Sequence, residues 1–337
     1  MLGPCSMRIK FVKLGWVIFV ISSFYTPTAC DADTDERGFP APRVNEDDGR
    51  RLLWKPAPGE RQCYYPDFSP DGSKLACRYS FGFAPEGRLI ILDVNTLEIS
   101  HIVPEDYEVS RPDWSPTGEW IAFQGKATGS AARAIWICRP DGSDLHQVSG
   151  DWAYLPFWNA DGSRVYYVGE PKGERSLGIM YYDLTTEKNT VVRGGDYKDW
   201  QYNDVVPSRA ANSWLAASMF ISLERERTIK LMLGPYAGDV FKIILGEEDK
   251  NNGYVVDWSP DDSHILFTYE IPFVTPMCLW SYELKSGIIR QITVKPPEVA
   301  VQTITDGSWG PAGEIAFATH NDDLYRCGWI YLIDAPK

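Results

Sequence analysis

One short segment of the sequence concentrates residue types that bind divalent metals. His320, Asp322 and Asp323 fall within a span of four residues, and carboxylate oxygens beside an imidazole suit Ca²⁺ or another divalent ion. The alternative reading is an ordinary solvated acidic loop. No EF-hand spacing or nucleotide-binding glycine loop occurs in the sequence, so we predict no other cofactor.

A second set of candidates consists of aromatic and polar residues that stand where short predicted strands begin. Tyrosine combines apolar area with a hydroxyl group, which suits a peptide segment or a carbohydrate. If those strands surround a common axis, the side chains would form the mouth of a channel; the alternative is that several of them only pack its wall. The candidates are Tyr64, Tyr65, Arg111, Tyr154, Tyr202, Asn203 and Tyr254.

An internal repeat predicts the elements that position these residues. The pattern Pro-Asp-aromatic-Ser-Pro-x-Gly, followed by an apolar run, recurs in five recognisable copies, with the residue after the aromatic at Ser69, Ser115, Asn159, Ser259 and Gly310. The step between Asn159 and Ser259 is about twice the others and contains a degenerate copy around 206–216, which has lost the Asp-Gly of its turn. Six units of roughly 44 to 51 residues are typical of four-stranded propeller blades.

Each unit reads as an antiparallel blade. The Ser-Pro-Asp-Gly segment forms a turn, and the apolar run after it is typical of a strand buried on both faces. The last unit ends after its third strand, and Arg51-Leu52-Leu53-Trp54 is the spare apolar segment that could complete it. We therefore predict an all-β fold, a six-bladed propeller of four-stranded antiparallel blades closed by this N-terminal strand.

The run Pro112 to Phe123, Pro-Asp-Trp-Ser-Pro-Thr-Gly-Glu-Trp-Ile-Ala-Phe, resembles the WD40-like repeat of TolB-like six-bladed propellers. The resemblance covers about Arg50 to Lys337 and implies a periplasmic or cell-surface protein. It does not imply TolB itself, which carries an additional α/β domain before its propeller. Asp67, Asp113 and Asp257 recur at one position of the repeat, so we expect them to bond backbone or turn groups rather than perform catalysis.

The N-terminal residues predict export. Residues 1–29 combine a basic start, a short apolar run and small residues, the layout of a signal peptide, and residues 30–49 read as an acidic tether before the propeller at 50–337. Pro27-Thr28-Ala29-Cys30 is similar to a lipoprotein cleavage box, so Cys30 is a candidate lipidation site. In the body of the chain, Cys63 and Cys77 flank one predicted hairpin and are either bonded or buried free thiols.

Composition and motifs narrow the function. A net charge of −13 disfavours nucleic-acid binding, and without a Gly-x-Ser-x-Gly elbow the peptidase interpretation is set aside. The sequence favours a monomeric binding protein with a protein or glycan partner in the cell envelope, in contact with a membrane only through its leader or a lipid anchor. The alternative is a carbohydrate-active lyase or hydrolase with its site in the channel.

Overall fold

The computed structural model contains only β-strands in the part of the chain that it describes. It describes residues 46–57, 59–81, 87–127, 129–130, 132–171, 176–194, 200–210, 214–223, 226–236, 242–245, 253–271, 275–294, 304, 306–319 and 328–336. Across these ranges no helix has the length and apolar character needed to cross a membrane.

Six four-stranded antiparallel sheets form the blades of a propeller. Blade 1 contains β2 (Gln62–Phe68), β3 (Lys74–Ser80), β4 (Arg88–Asp93) and β5 (Ile99–His101). Blade 2 contains β6 (Tyr107–Trp114), β7 (Ile121–Ala127), β8 (Ala134–Cys138) and β9 (His146–Gln147). Blade 3 contains β10 (Ala153–Trp158), β11 (Arg164–Gly169), β12 (Gly178–Asp183) and β13 (Lys188–Arg193).

The other three blades follow the same order, with the innermost strand first. Blade 4 contains β14 (Trp200–Pro207), β15 (Trp214–Leu223), β16 (Glu226–Pro235) and β17 (Lys242–Leu245). Blade 5 contains β18 (Gly253–Trp258), β19 (His264–Ile271), β20 (Thr275–Glu283) and β21 (Ile289–Gln291). Blade 6 contains β22 (Ser308–Trp309), β23 (Glu314–Ala318), β24 (Ile330–Asp334) and β1 (Arg51–Trp54).

The N-terminal strand closes the ring. β1 pairs antiparallel with β24, with Arg51 opposite Leu332 and Trp54 opposite Ile330, which confirms the predicted closure and gives the last blade its outer strand. The residues just before β1 are anchored as well, because the Asp48 carboxylate accepts the backbone N–H of Val294 at 2.7 Å. The two ends of the propeller therefore join in one blade and leave no unpaired edge at the junction.

The core lies between the blades. The described residues form six apolar clusters, one between each pair of successive blades, and the cluster between blades 6 and 1 packs Ile90 and Leu92 against Ala316 and Ile330. The second strands contribute to the clusters on both sides, so residues such as Leu75 and Ala76 are fully buried. This burial on both faces explains why these strands read as continuous apolar runs.

The cysteines of the described blades are free thiols. Cys63, Cys77, Cys138 and Cys278 are all buried without a disulfide, which resolves the alternatives for Cys63 and Cys77 in favour of buried thiols. Burial raises the pKa of the Cys278 thiol to about 11, so this group stays protonated and packs as a small apolar side chain.

Candidate functional site

The channel wall is shaped by a bulge that recurs in the innermost strands. In five blades the pairing of the first and second strands shifts register at one position. In blades 1 to 3 the bulged residues Tyr65, Arg111 and Leu155 have φ angles of 52°, 49° and 57°, and a proline follows each of them. Proline has no N–H for the ladder, which favours a bulge at these three positions, whereas blades 4 and 5 bulge at Asn203 and Val256 without a proline.

Of the predicted mouth residues, the structure brings Tyr65 and Arg111 together. The Arg111 guanidinium lies 4.5 Å from the centre of the Tyr65 ring, and both residues line the middle of the channel. Tyr64 and Tyr202 are 0% and 1% exposed. Tyr202 packs in the apolar cluster between blades 3 and 4, and the Tyr64 hydroxyl donates to Gln62 Oε1 at 2.9 Å. Tyr154, Asn203 and Tyr254 are half-buried near the starts of their inner strands.

The remaining candidates are the predicted metal ligands and the predicted lipidation site. His320, Asp322 and Asp323, together with Cys30, fall outside the described residues, so the metal site and the lipid anchor stay predictions. Within the described ranges, no group of three or more His, Cys, Asp or Glu side chains is arranged to hold a metal ion.

The recurring aspartates join neighbouring blades. Each carboxylate accepts a backbone N–H from the next blade in the ring: Trp114 to Asp67 at 2.5 Å, Trp158 to Asp113 at 2.6 Å, and Trp309 to Asp257 at 2.7 Å. In blade 6 Ser308 takes the same place and its hydroxyl accepts the N–H of Phe68 at 3.2 Å. The prediction that these aspartates bond backbone groups is confirmed.

Arg209 brings a positive charge into this ring of acids. It comes from the degenerate turn of blade 4, where the N–H groups of Arg209 and Ala210 both bond the Asp262 carboxylate of blade 5. Its Nε lies 2.8 Å from Asp257 Oδ1 and its Nη2 lies 3.6 Å from Asp67 Oδ1. Arg209, like Asp113 and Asp257, lines both the middle of the channel and the pocket at one end, so the charged cluster lies at the boundary between them.

Burial controls the protonation of this cluster. It raises the pKa of Asp257 to about 6, against the opposing effect of the Arg209 charge. It also raises the pKa of Asp113 well above its usual value, and the charge of the nearby Asp67 adds to that rise. Burial alone would lower the pKa of Arg209, but the charges of Asp257 and Asp67 raise it instead, so the guanidinium remains positive at any physiological pH.

A pocket of about 180 Å³ opens where the innermost strands end in their turns; we call this the turn end. Its floor contains Asp113, Arg209 and Asp257, and Trp114, Trp158 and Trp309 lie around it. Its rim is one residue from each blade: Pro70, Pro116, Ala160, Pro207, Pro260 and Pro311.

Hydrogen bonds inside the turns hold this rim in place. In the first turn Asp71 Oδ1 accepts from the Ser69 hydroxyl at 2.6 Å and from the Ser73 N–H at 3.0 Å. These bonds lower the pKa of Asp71 to about 2, so the carboxylate that fixes the turn is ionised at neutral pH. Gly72 completes the turn with a φ of 73°, a conformation that favours glycine.

A second cavity, of about 150 Å³, lies between blades 1 and 2 where the innermost strands begin; we call this the strand-start end. It is lined mainly by polar side chains. The lining residues are Tyr65, Arg78, Glu108, Val109, Ser110, Gln124 and Arg133.

Sequence reasoning did not find Arg209, Gln124 or the proline rim. Four of the prolines carry a usable signal, since they occupy one position of a repeated turn and must lie at one end of the channel. In blade 4 that position is Arg209, and Pro207 stands where the other units have their aromatic residue. Nothing local in the sequence indicates that the Arg209 side chain crosses to blades 5 and 1.

The comparisons with known proteins support the fold. No protein-family model matches the chain. A structure described as TolB from Agrobacterium tumefaciens aligns over 85% of this chain and 94% of its own, with a TM-score of 0.60 and 14% identity. TolB from Acinetobacter baumannii aligns over 82% of this chain and 64% of its own, with a TM-score of 0.54 and 14% identity.

A lyase and an uncharacterised protein are also similar to this chain. An oligogalacturonate lyase in complex with manganese aligns over 86% of this chain and 96% of its own, with a TM-score of 0.54 and 14% identity. An uncharacterised protein of Agrobacterium fabrum, Atu1656, is 27% identical over an alignment of 107 residues that covers 27% of this chain and 35% of that protein. The fold of this chain is therefore that of TolB-like six-bladed propellers, a fold that serves more than one function.

Proposed function

We propose that this protein is an exported binding protein that holds a partner protein at the turn end of its channel. The observation that carries the proposal is the pocket itself, with its rim of five prolines and one alanine around a charged floor. Concave pockets with apolar walls and a few convergent polar groups are the usual form of a binding site. A rim of turns fixed by their own hydrogen bonds also loses little conformational entropy when a partner binds.

The charges at the floor indicate what kind of side chain enters. Three aspartates, Asp67, Asp113 and Asp257, surround one cation, Arg209. Asp113 lines the pocket and is in no ion pair within the described part of the chain. A basic side chain of the partner would favour the ionised form of Asp113 against the burial that raises its pKa, and the net charge of −13 favours the approach of a basic surface.

Export and attachment are the part of the proposal that rests on sequence. The predicted signal peptide at 1–29 directs the chain out of the cytoplasm, and lipidation at Cys30 would leave the propeller tethered to a membrane by the acidic segment. A propeller held in this way presents its channel ends to proteins of the cell envelope.

Site-specific photo-cross-linking in the native host tests the proposal. A benzophenone amino acid at Ala160, on the rim in blade 3, is expected to form a defined adduct with an envelope protein. The matched control places the same probe at Val191, an exposed residue on the outer strand of the same blade, where no such adduct is expected.

A second substitution makes the test specific to the pocket. With the probe at Ala160, Pro311→Glu changes the opposite side of the rim and should reduce the adduct yield, whereas Val191→Glu should not. Equal adducts from Ala160 and Val191, or no adduct from Ala160, would contradict binding at the turn end.

A further inference from the structure

We propose that the cavity at the strand-start end is a separate ligand site, which binds the carboxylate of a small organic acid. The site lies between blades 1 and 2, and it shares none of its lining residues with the pocket at the turn end. The proposal is therefore independent of the partner protein proposed above.

The first observation is a local excess of positive charge in an acidic chain. Arg78 and Arg133 both line the cavity, and Arg111 lies close by on the Tyr65 ring. In the described part of the chain, neither Arg111 nor Arg133 has a carboxylate within ion-pair distance. Cations that form no ion pair at a concave site are suited to bind an anion.

The buried Arg78 strengthens this argument. Arg78 is largely buried. Burial, and to a smaller extent the positive charge of Arg133, lowers the pKa of its guanidinium, whereas Tyr65 and Glu108 act in the opposite direction. An anion placed between the two arginines would relieve both the desolvation and the repulsion. Glu108, the acidic residue of the lining, does not by itself neutralise the two arginines, because its Oε1 already lies 3.9 Å from the Lys126 Nζ.

The second observation is a buried amide with a donor to spare. Gln124 is 5% exposed and lines the cavity. Its Oε1 accepts the N–H of Leu155 at 3.4 Å, while its Nε2 donates to no described residue. By contrast, the equally buried Gln291 donates its Nε2 to the Thr293 carbonyl at 3.0 Å. Buried amide groups are normally bonded, so the Gln124 Nε2 is a donor available to a ligand.

The size and donors of the cavity define the ligand. A volume of about 150 Å³ is comparable to an engineered cavity that accommodates benzene, so one six-membered ring fits. Guanidinium and amide N–H groups in planar arrays match the two oxygens of a carboxylate. The Tyr65 ring at the cavity wall offers apolar area to the body of the acid.

Calorimetric titration of the folded protein with matched acid and neutral compounds tests the site. Benzoate is compared with benzamide, glucuronate with glucose, and inorganic phosphate serves as a non-carboxylate anion. We expect at least one acid to bind roughly tenfold more tightly than its neutral partner, because hydrogen bonds to a charged group exceed those to a neutral one by about this factor. The pair that shows the preference identifies an aromatic or a saccharide acid.

Two variants locate the binding. Arg133 is exposed, so Arg133→Met should fold normally and weaken acid binding by roughly tenfold, and Arg133→Lys should restore part of the affinity. Arg164→Met, on blade 3 and away from the cavity, is the control and should change nothing. Absence of acid binding, equal affinity for acids and their neutral partners, tighter binding of phosphate, or acid binding unaffected by Arg133→Met would each overturn the proposal.

Discussion

The two ends of the channel are made by the same six repeats and yet have different chemistry. The turn end has a rim rich in proline and a floor of aspartates around Arg209, whereas the strand-start end is polar and is lined by two arginines, Arg78 and Arg133. The rim has a proline at the same repeat position in four of the six blades, and the cationic cavity consists of residues that single blades contribute. In this protein, repetition builds the framework and the departures from it define what each end can bind.

Arg209 is the clearest such departure. It stands in the blade 4 turn at the position where four of the other blades have a proline, and its side chain spans the ring to Asp257 and Asp67. It lies between the turn-end pocket and the middle of the channel, and the acidic cluster at the turn end is built around it. The predictions below change residues at one end of the channel or buried acids of the inner strands.

The largest effect is expected from Arg209→Met. The substitution leaves Asp67 and Asp257 buried without their cation, and removal of one partner of a buried ion pair costs several kcal/mol. We expect the free energy of unfolding at pH 7 to fall by about 3 kcal/mol, measured by urea denaturation. Arg164→Met is the matched control, since its pair with Asp183 lies partly in solvent and should contribute less than about 1 kcal/mol. Equal losses in the two variants would show that Arg209 does not hold the cluster.

A smaller effect is expected at Asp113. Asp113→Ala removes the acceptor of the Trp158 N–H and leaves a buried donor unsatisfied, which should destabilise the protein by about 2 kcal/mol. Asp113→Asn retains an acceptor oxygen and removes the repulsion from Asp67, so it should be tolerated. If both variants lose the same stability in thermal unfolding, the carboxylate charge rather than the blade-to-blade hydrogen bond is responsible.

How much of this arrangement the sequence predicts depends on the range of the interaction. The blades, the closing strand and the role of Asp67, Asp113 and Asp257 follow from repeated local patterns, because each turn and strand is specified within its own unit. The path of Arg209 across the channel is set by blades distant in sequence.

At the strand-start end, too, local sequence patterns indicate only part of the arrangement. The bulge that turns Arg111 toward Tyr65 has a local signal in the proline that follows it, although strand periodicity alone does not indicate it. The spare donor of Gln124 results from packing between blades 2 and 3, and sequence patterns do not report such pairings.

The melting temperature should change with pH because buried carboxyl groups titrate in the range between about pH 4 and 7. Burial raises the pKa of Asp204 to about 6, as it does for Asp257. For a carboxyl group whose pKa is raised in the folded state, the stabilising contribution is complete below the unfolded pKa near 4 and is lost as the pH rises through 6. We therefore expect these two groups to make the melting temperature higher at pH 5.5 than at pH 7.5. Asp204→Asn should reduce the difference, and an unchanged difference would exclude Asp204 as a contributor.

The smallest effect on stability is expected from Arg133→Met. The side chain is exposed and forms no ion pair with a described residue, so the free energy of unfolding should change by less than about 0.5 kcal/mol. The same variant is expected to impair acid binding. A large loss of stability would instead indicate a structural role for Arg133 and would weaken the distinction between the two ends.

The central claim is that the channel has two separate sites with opposite charge preference. Its most direct test is NMR mapping of the folded protein with two acids, benzoate and glucuronate, and one basic probe, argininamide. We predict that at least one of the acids shifts the amide signals of Tyr65, Gln124 and Arg133, whereas argininamide shifts the indole signals of Trp114, Trp158 and Trp309. Shifts from an acid and argininamide at the same end, or no shift from either acid or from argininamide, would contradict the account.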